Sequence, residues 1–279
     1  MTISSTKELT VQVAPDQRDV LIALLGNIGY EGFWEQEDGF QAYLPAEQYD
    51  ESSLIDILRL AEVADSAYSV KDLADQNWNN SWESNYPPVR IDSFCQIITT
   101  FHEKEPDFEY TLHITPKMSF GTGHHATTRL MIKAMKELPL TGTTLLDMGC
   151  GTGVLAILAE KLGATAVDAI DFDPWCMENA GENVVENHCE HTRVMLGTKE
   201  NIPDLSYDVI LANINRNVLL ADIPAYATHL QPGGILLISG FHPEDVELIL
   251  QKAAEADLRF SRQWEEDRWV SIQFEKISA

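Results

Sequence analysis

The segment Leu145-Leu146-Asp147-Met148-Gly149-Cys150-Gly151-Thr152-Gly153-Val154-Leu155-Ala156 constrains the fold of this chain more than any other. It reads as a short apolar strand carrying an acid, then a glycine-rich turn, then the start of a helix. Glycines at 149, 151 and 153 remove Cβ atoms where a tight strand-to-helix turn must let a ligand touch backbone. The next strand, 166–170, ends at Asp171, and Asp173 follows. A carboxylate about 20 residues after such a loop suits hydrogen bonds to the vicinal hydroxyls of a ribose. The unit implies an open α/β sheet that binds a nucleoside-containing cofactor.

Two cofactors compete for this loop. Gly151-Thr152-Gly153-Val154-Leu155-Ala156 also fits the dinucleotide pattern G-x-G-x-x-A, which brings a pyrophosphate onto a helix N-terminus. Asp147 opposes that reading, because a carboxylate repels a pyrophosphate at close range. S-adenosylmethionine has no phosphate and offers a sulfonium and an ammonium, which an acid favours. The order D-x-G-x-G-x-G with a second acid after the next strand resembles the S-adenosylmethionine loop of the Rossmann-like methyltransferases.

The chain has 279 residues, enough for two domains with buried cores. Its first residues lack a basic start followed by an apolar block, and no apolar run approaches the ~20 residues of a membrane helix. Cys95, Cys150, Cys176 and Cys189 show no C-x-x-C spacing, which fits reduced thiols in a cytoplasmic protein. With 19 basic and 44 acidic residues the net charge is −25. Such a field opposes docking on nucleic acid and favours a basic partner. Neither His124-His125 nor His188-Cys189-Glu190-His191 has the setting of a metal site, so none is expected.

A small front unit, a connector and a large α/β unit follow one another. Strand 9–13, helix 16–28, strands 31–36 and 39–44, helix 53–64 and strand 67–73 give the order β-α-β-β-α-β of a ferredoxin-like domain. The expected domains are 1–74 for substrate recognition, 75–92 as a helical linker and 93–279 for the cofactor. In the connector Trp78, Trp82 and Tyr86 form one helical stripe before Pro87-Pro88. Segments 89–101 and 110–114 read as strands. Phe120-Gly121-Thr122-Gly123-His124-His125-Ala126-Thr127-Thr128 then leads into a helix through Leu138, with threonine hydroxyls that either cap it or bind a ligand at its N-terminus.

Strands 193–196, 207–214 and 235–239, helices 219–230 and 243–256, and a late hairpin of 259–265 with 269–275 complete seven strands. Ligands of such sheets bind beyond the carboxyl ends of the strands, where Gly149, Asp171 and Asn213 fall. Asn213 is the best candidate beside a transferred methyl, since its amide can orient a nucleophile. Enzymes that methylate planar amide or aromatic amine nitrogens often carry Asn-Pro-Pro-aromatic here. This chain reads Asn213-Ile214-Asn215-Arg216, which points away from such acceptors.

The Phe120-to-Thr128 block, the Asp147-to-Gly153 loop, Ile170-Asp171-Phe172-Asp173-Pro174, Ala212-Asn213-Ile214 and the upstream Trp78-Asn79-Asn80-Ser81-Trp82 occur in the order seen in the PrmA family, which the chain resembles over nearly its whole length. Those bacterial enzymes methylate large-subunit ribosomal protein eleven at lysine side chains and the N-terminal amine. The resemblance implies an α/β protein, a Rossmann-like seven-stranded methyltransferase domain preceded by a small α+β domain. It also implies S-adenosyl-L-methionine as cofactor and a basic ribosomal protein as partner. Carried onto matching positions, it implicates Thr128, Gly149, Asp171 and Asn213 in cofactor binding; Gly151, Asp173, Phe120 and Thr127 beside them are expected to bind it as well. Thr115-Pro116-Lys117-Met118 departs from the Asp-Pro-Gly-Met of many relatives. A methyltransferase for another protein or a small molecule, a nicotinamide dehydrogenase and a non-catalytic cofactor-binding module are the alternatives.

Overall fold

The structure is a computed structural model that describes residues 6–277 apart from 14, 27, 37–38, 62, 74–86, 116 and 118. The aromatic stripe of Trp78, Trp82 and Tyr86 lies outside the described residues. The chain divides into two compact units, Met1–Asn85 and Tyr86–Ala279.

In the first unit, β1 (Thr6–Gln12), α1 (Pro15–Gly26), β2 (Glu31–Gln36), β3 (Gly39–Pro45), α2 (Glu51–Leu60) and β4 (Tyr68–Leu73) follow in the expected order. The strands form one antiparallel sheet, β2-β3-β1-β4. Alternation along β1 and β3 puts Leu9, Val11, Phe40, Ala42 and Leu44 into a core with Leu21, Leu25, Leu54 and Leu58 of the helices. Helix α2 begins at Glu51, before the expected 53, because Asp50 caps it: Asp50 Oδ1 accepts the Ser52 N–H at 3.0 Å.

The second unit carries a seven-stranded sheet. Its strands are β8 (Thr144–Met148), β9 (Ala166–Asp171), β10 (Thr192–Leu196), β11 (Tyr207–Asn213), β12 (Leu230–Phe241), β13 (Leu258–Glu266) and β14 (Trp269–Lys276). They lie in the order β10-β9-β8-β11-β12-β14-β13, all running the same way except β14, which is antiparallel to both β12 and β13. Neighbouring residues of a buried strand serve opposite layers: Leu145, Val209 and Leu211 face one core, Leu146, Ile210 and Ala212 the other. Helices α3 (Ala126–Met135), α4 (Val154–Lys161) and α5 (Pro174–Glu186) cover the first face. Helices α6 (Arg216–Thr228) and α7 (Val246–Ala254) cover the second. Strand β8 pairs with β9 on one side and β11 on the other, so the chain switches direction there and opens a crevice beyond their carboxyl ends.

The expected long strand 89–101 is instead a hairpin of β5 (Val89–Ile91) and β6 (Cys95–Ile98), turned at Asp92 with φ 48°. With β7 (Tyr110–His113) they form a small sheet whose Val89, Ile91 and Leu112 join the first core, so 89–91 packs with this unit rather than acting as linker. Helix α6 starts at Arg216, before the expected 219, because Asn215 Oδ1 accepts the Val218 N–H at 3.1 Å. Among the described residues no helix is long and apolar enough to cross a membrane.

Candidate active site

The glycine loop is fixed by its own hydrogen bonds. The N–H groups of Gly149 and Cys150 donate to Ile170 O, that of Gly151 to Asp171 Oδ2, that of Thr152 to Phe120 O and that of Gly153 to Cys150 O, at 2.8–3.1 Å. These amides are therefore spent inside the protein, whereas a pyrophosphate cradle needs loop amides free to point at phosphate. The three glycines have φ of 70°, 55° and 78°, the left-handed region. A Cβ on Gly149 would lie 2.3 Å from Ile214 Cγ2, and one on Gly151 would lie 2.2 Å from Phe120 O. Neighbouring protein atoms, rather than an approaching ligand, occupy the space those glycines vacate.

Beyond the strand ends lies a cavity of about 580 Å³. Phe120, Thr127, Gly149, Gly151, Asp171, Asp173 and Asn213 line it, and Thr128 lines an adjoining recess with Gly149 and Asn213. The structure thus gathers all eight residues singled out in the sequence. Asp171 uses Oδ2 for Gly151 and Oδ1 for the Asp173 N–H at 3.0 Å, so the second acid shapes the loop as well as facing the cavity. Asp173 in turn caps α5, accepting the Trp175 N–H at 2.9 Å.

Three buried groups at this end of the sheet have unmet polar atoms: both Asp147 carboxylate oxygens, Thr128 Oγ1 and Asn213 Oδ1. Buried polar atoms are ordinarily paired, so the unmet oxygens of Thr128 and Asn213, which share the recess, mark where a polar ligand belongs, while Asp147 lies just before the glycine loop and lines neither cavity. Burial pushes the Asp147 carboxyl up to about 7; the Ala156 amide, outside hydrogen-bonding geometry, opposes this and the Asp171 charge adds to it. The helix that follows the Phe120 block is capped by His125, not by a threonine: His125 Nδ1 accepts the Thr127 N–H at 3.3 Å. Thr128 is thereby released from capping, in keeping with the ligand reading. His124 turns away, its Nε2 3.1 Å from Pro87 O, so the two imidazoles do not act as a pair.

Several residues at the cavity carry no local signal. Trp269, Lys199, Cys176 and Tyr226 also line it. Lys199 Nζ donates to Asp222 Oδ1 at 2.7 Å, which binds the turn after β10 to α6. Trp269 reaches the site only because β14 inserts between β12 and β13, a long-range pairing that no window of sequence announces.

The sheet order, the self-satisfied glycine loop and the acids at its ends define a Rossmann-like methyltransferase, with S-adenosylmethionine as methyl donor. A family model described as ribosomal protein L11 methyltransferase (PrmA) matches residues 10–277, and the chain belongs to that family. A ribosomal protein L11 methyltransferase of Phocaeicola vulgatus is 42% identical over 260 residues, covering 92% of each chain. One from Porphyromonas gingivalis is 41% identical over 271 residues, covering 96% of this chain and 92% of its own. The crystal structure of a ribosomal protein L11 methylase from Lactobacillus delbrueckii subsp. bulgaricus is 28% identical with a TM-score of 0.64, covering 69% of this chain and 100% of its own.

Replacing Asp171 with alanine removes two loop-shaping bonds and any bond to a ribose. S-adenosylmethionine affinity should fall by about 10- to 150-fold, the equivalent of a charge-assisted hydrogen bond worth roughly 1.5–3 kcal/mol. Calorimetry on the folded variant checks this, and unchanged affinity would remove Asp171 from the site.

Proposed function

We propose that this protein methylates ribosomal protein L11 on lysine side chains and the N-terminal amine. The observation that carries the reading is the pair of unmet buried oxygens of Thr128 and Asn213 at one recess, with the unpaired Asp147 carboxylate just before a loop whose amides are spent. That donor set fits S-adenosylmethionine: Asp171 suits its ribose, and Asp147 suits a cation where a phosphate would be repelled. Bound there, the cofactor supplies an electrophilic methyl group on a sulfonium sulfur. Asn213 accepts an N–H of the incoming amine through its unmet Oδ1 and so aims the lone pair at that carbon, a contribution of positioning.

The acceptor must arrive neutral. A lysine with pKa near ~10.4 is only ~0.1% neutral at pH about 7.4, a deficit of about 4 kcal/mol. Asp147, Asp171 and Asp173 hold the proton on; desolvation in the cavity and the cationic cofactor drive it off to solvent before transfer.

The first unit, with its β-α-β-β-α-β order, is a ferredoxin-like recognition module spanning about residues 1–74. Residues 75–88 lead into the catalytic unit. The net charge of −25 favours a basic ribosomal protein over nucleic acid and suits a cytoplasmic enzyme that meets its substrate there. Intact-mass analysis of purified L11 after incubation with the protein and S-adenosylmethionine tests the reading. Mass gains in steps of one methyl support it, and an unmodified L11 sinks it.

Charge makes a separate prediction. Raising salt from ~50 to ~300 mM should slow association with L11, while cofactor affinity changes little, because screening acts mainly on long-range steering. Stopped-flow binding at several ionic strengths reads this. A salt-independent on-rate assigns the acidity to solubility alone.

A further inference from the structure

The tip of the β13–β14 hairpin is held from several sides. Asp267 and Arg268 both have left-handed backbone, with φ of 50° and 63°, a conformation that residues other than glycine seldom adopt. Each residue of the tip is also tied. Glu266 accepts from Arg129 Nε at 2.5 Å and from Lys133 Nζ at 2.6 Å, and Asp267 Oδ2 accepts from Arg129 Nη2 at 3.0 Å. Arg268 pairs with Glu244, and its carbonyl lies 2.9 Å from His242 Nδ1. Unfavourable backbone persists where surrounding contacts over-determine it, and such places cluster at functional sites.

The next residue is Trp269, which lines the cavity. Its ring lies 4.8 Å from His125 and 4.0 Å from His242 between centroids, and His125 lies 5.2 Å from Phe120. Arg129 joins the two sides of this aromatic wall. Its Nη1 donates to the carbonyl of His124, in the Phe120 block, while the rest of its fork holds the hairpin tip. All three guanidinium nitrogens are engaged, a geometry that a lysine cannot reproduce.

We propose that Arg129 is a positioning residue that acts through Trp269, fixing the indole as the wall against which the acceptor amine lies. The face of an indole packs the methylenes of an alkylamine and, being apolar, helps strip water from the amine as it becomes neutral. The amine as acceptor rests on the function proposed above; the clamp itself rests on the contacts just described.

The test is a double-mutant cycle on the full-length protein with L11 as substrate. Arg129→Met and Trp269→Ala should each lower kcat/KM for L11 by at least about tenfold, with the Kd for S-adenosylmethionine within about twofold. The double variant should be no worse than Trp269→Ala alone, because both remove one device. Arg129→Lys should behave like Arg129→Met, and Trp269→Phe should keep most activity. Additive losses, rescue by lysine, or a loss confined to cofactor binding overturns the proposal.

A second readout needs no L11 activity. With S-adenosylhomocysteine bound, n-butylamine should shift the indole N–H resonance of Trp269, assigned by its absence in Trp269→Phe, and Arg129→Met should abolish that response. If wild type leaves L11 unmodified while the resonance responds, the L11 reading fails and the clamp stands. A silent resonance in wild type removes Trp269 from the acceptor side.

Discussion

Asp147→Asn should melt at a higher temperature than the wild type yet bind S-adenosylmethionine about 100-fold more weakly, the loss expected when a charge-assisted contact disappears. Asp147 is 1% exposed and both its oxygens lack hydrogen-bond partners, so in the free protein only the nearby Ala156 amide offsets the desolvation of its charge. Burial first, and Asp171 second, raise its pKa from 3.8 to about 7. That shift corresponds to roughly 4 kcal/mol of stability that the free protein forgoes once the group ionises. Part is recovered in the variant, whose amide is still buried and polar. A gain of about 2 kcal/mol, or roughly 4–8 °C for a domain of this size, is expected.

The sign with pH follows from the raised value. Below about 4 the group is protonated in both folded and unfolded chains, and its contribution to stability is fully present. Between about 4 and about 7 the unfolded chain releases its proton while the folded one keeps it, so stability falls as pH rises and levels off above about 7. The melting difference between wild type and Asp147→Asn should therefore be largest near pH ~8 and shrink toward pH ~4. A cationic ligand selects the ionised form, so wild-type affinity for S-adenosylmethionine should rise with pH through about 7, and that of the variant should not. Calorimetry and thermal melts across this range decide the matter. Equal melting and equal affinity would show that Asp147 is neither a stored cost nor a cofactor contact.

The sheet was readable because its signals are local. Apolar strands with glycine turns and helical periodicity recur through 144–254, and adjacent residues such as Leu145 and Leu146 could only be buried on both faces of a parallel sheet. The acids at 147 and 171 were readable because their spacing from the glycines follows from one βαβ unit. Expectation and structure part where a single side chain or a distant strand decides. Asp92 turns the expected strand 89–101 into a hairpin by adopting positive φ, which aspartate does only occasionally. Asn215, read as a departure from an acceptor motif, is the cap that starts α6 early. His125 takes the capping role that is one of the two readings for the threonines. Trp269 depends on which strands β14 joins, and that is settled by the whole sheet.

Gly151→Ala tests what the loop glycines are for. Two costs are separable at this position. The first is backbone: at φ 55° an alanine sits in the left-handed region, a penalty of roughly 1–2 kcal/mol. Gly142, with φ 81° and no atom within 4 Å of where a Cβ would stand, carries that cost alone, so Gly142→Ala is the control. The second is collision, since the new methyl would lie 2.2 Å from the Phe120 carbonyl oxygen. That oxygen cannot simply withdraw, because it accepts the Thr152 N–H at 2.8 Å, and the next carbonyl, Gly121 O, accepts from Thr152 Oγ1 at 2.7 Å. Relief must come from moving the Phe120 block or the glycine loop, and the latter breaks the 2.9 Å bond from Gly151 N–H to Asp171. Either movement disturbs the cavity. Gly151→Ala should lose roughly 2–4 kcal/mol of stability, about twice the loss in Gly142→Ala, and cofactor binding should fall beyond about 100-fold while Gly142→Ala binds normally. Matched melts and calorimetry on the two variants measure this. If both lose the same stability and both bind the cofactor, backbone conformation alone accounts for the glycine, and contact between the Phe120 block and the loop is not what holds the site in shape.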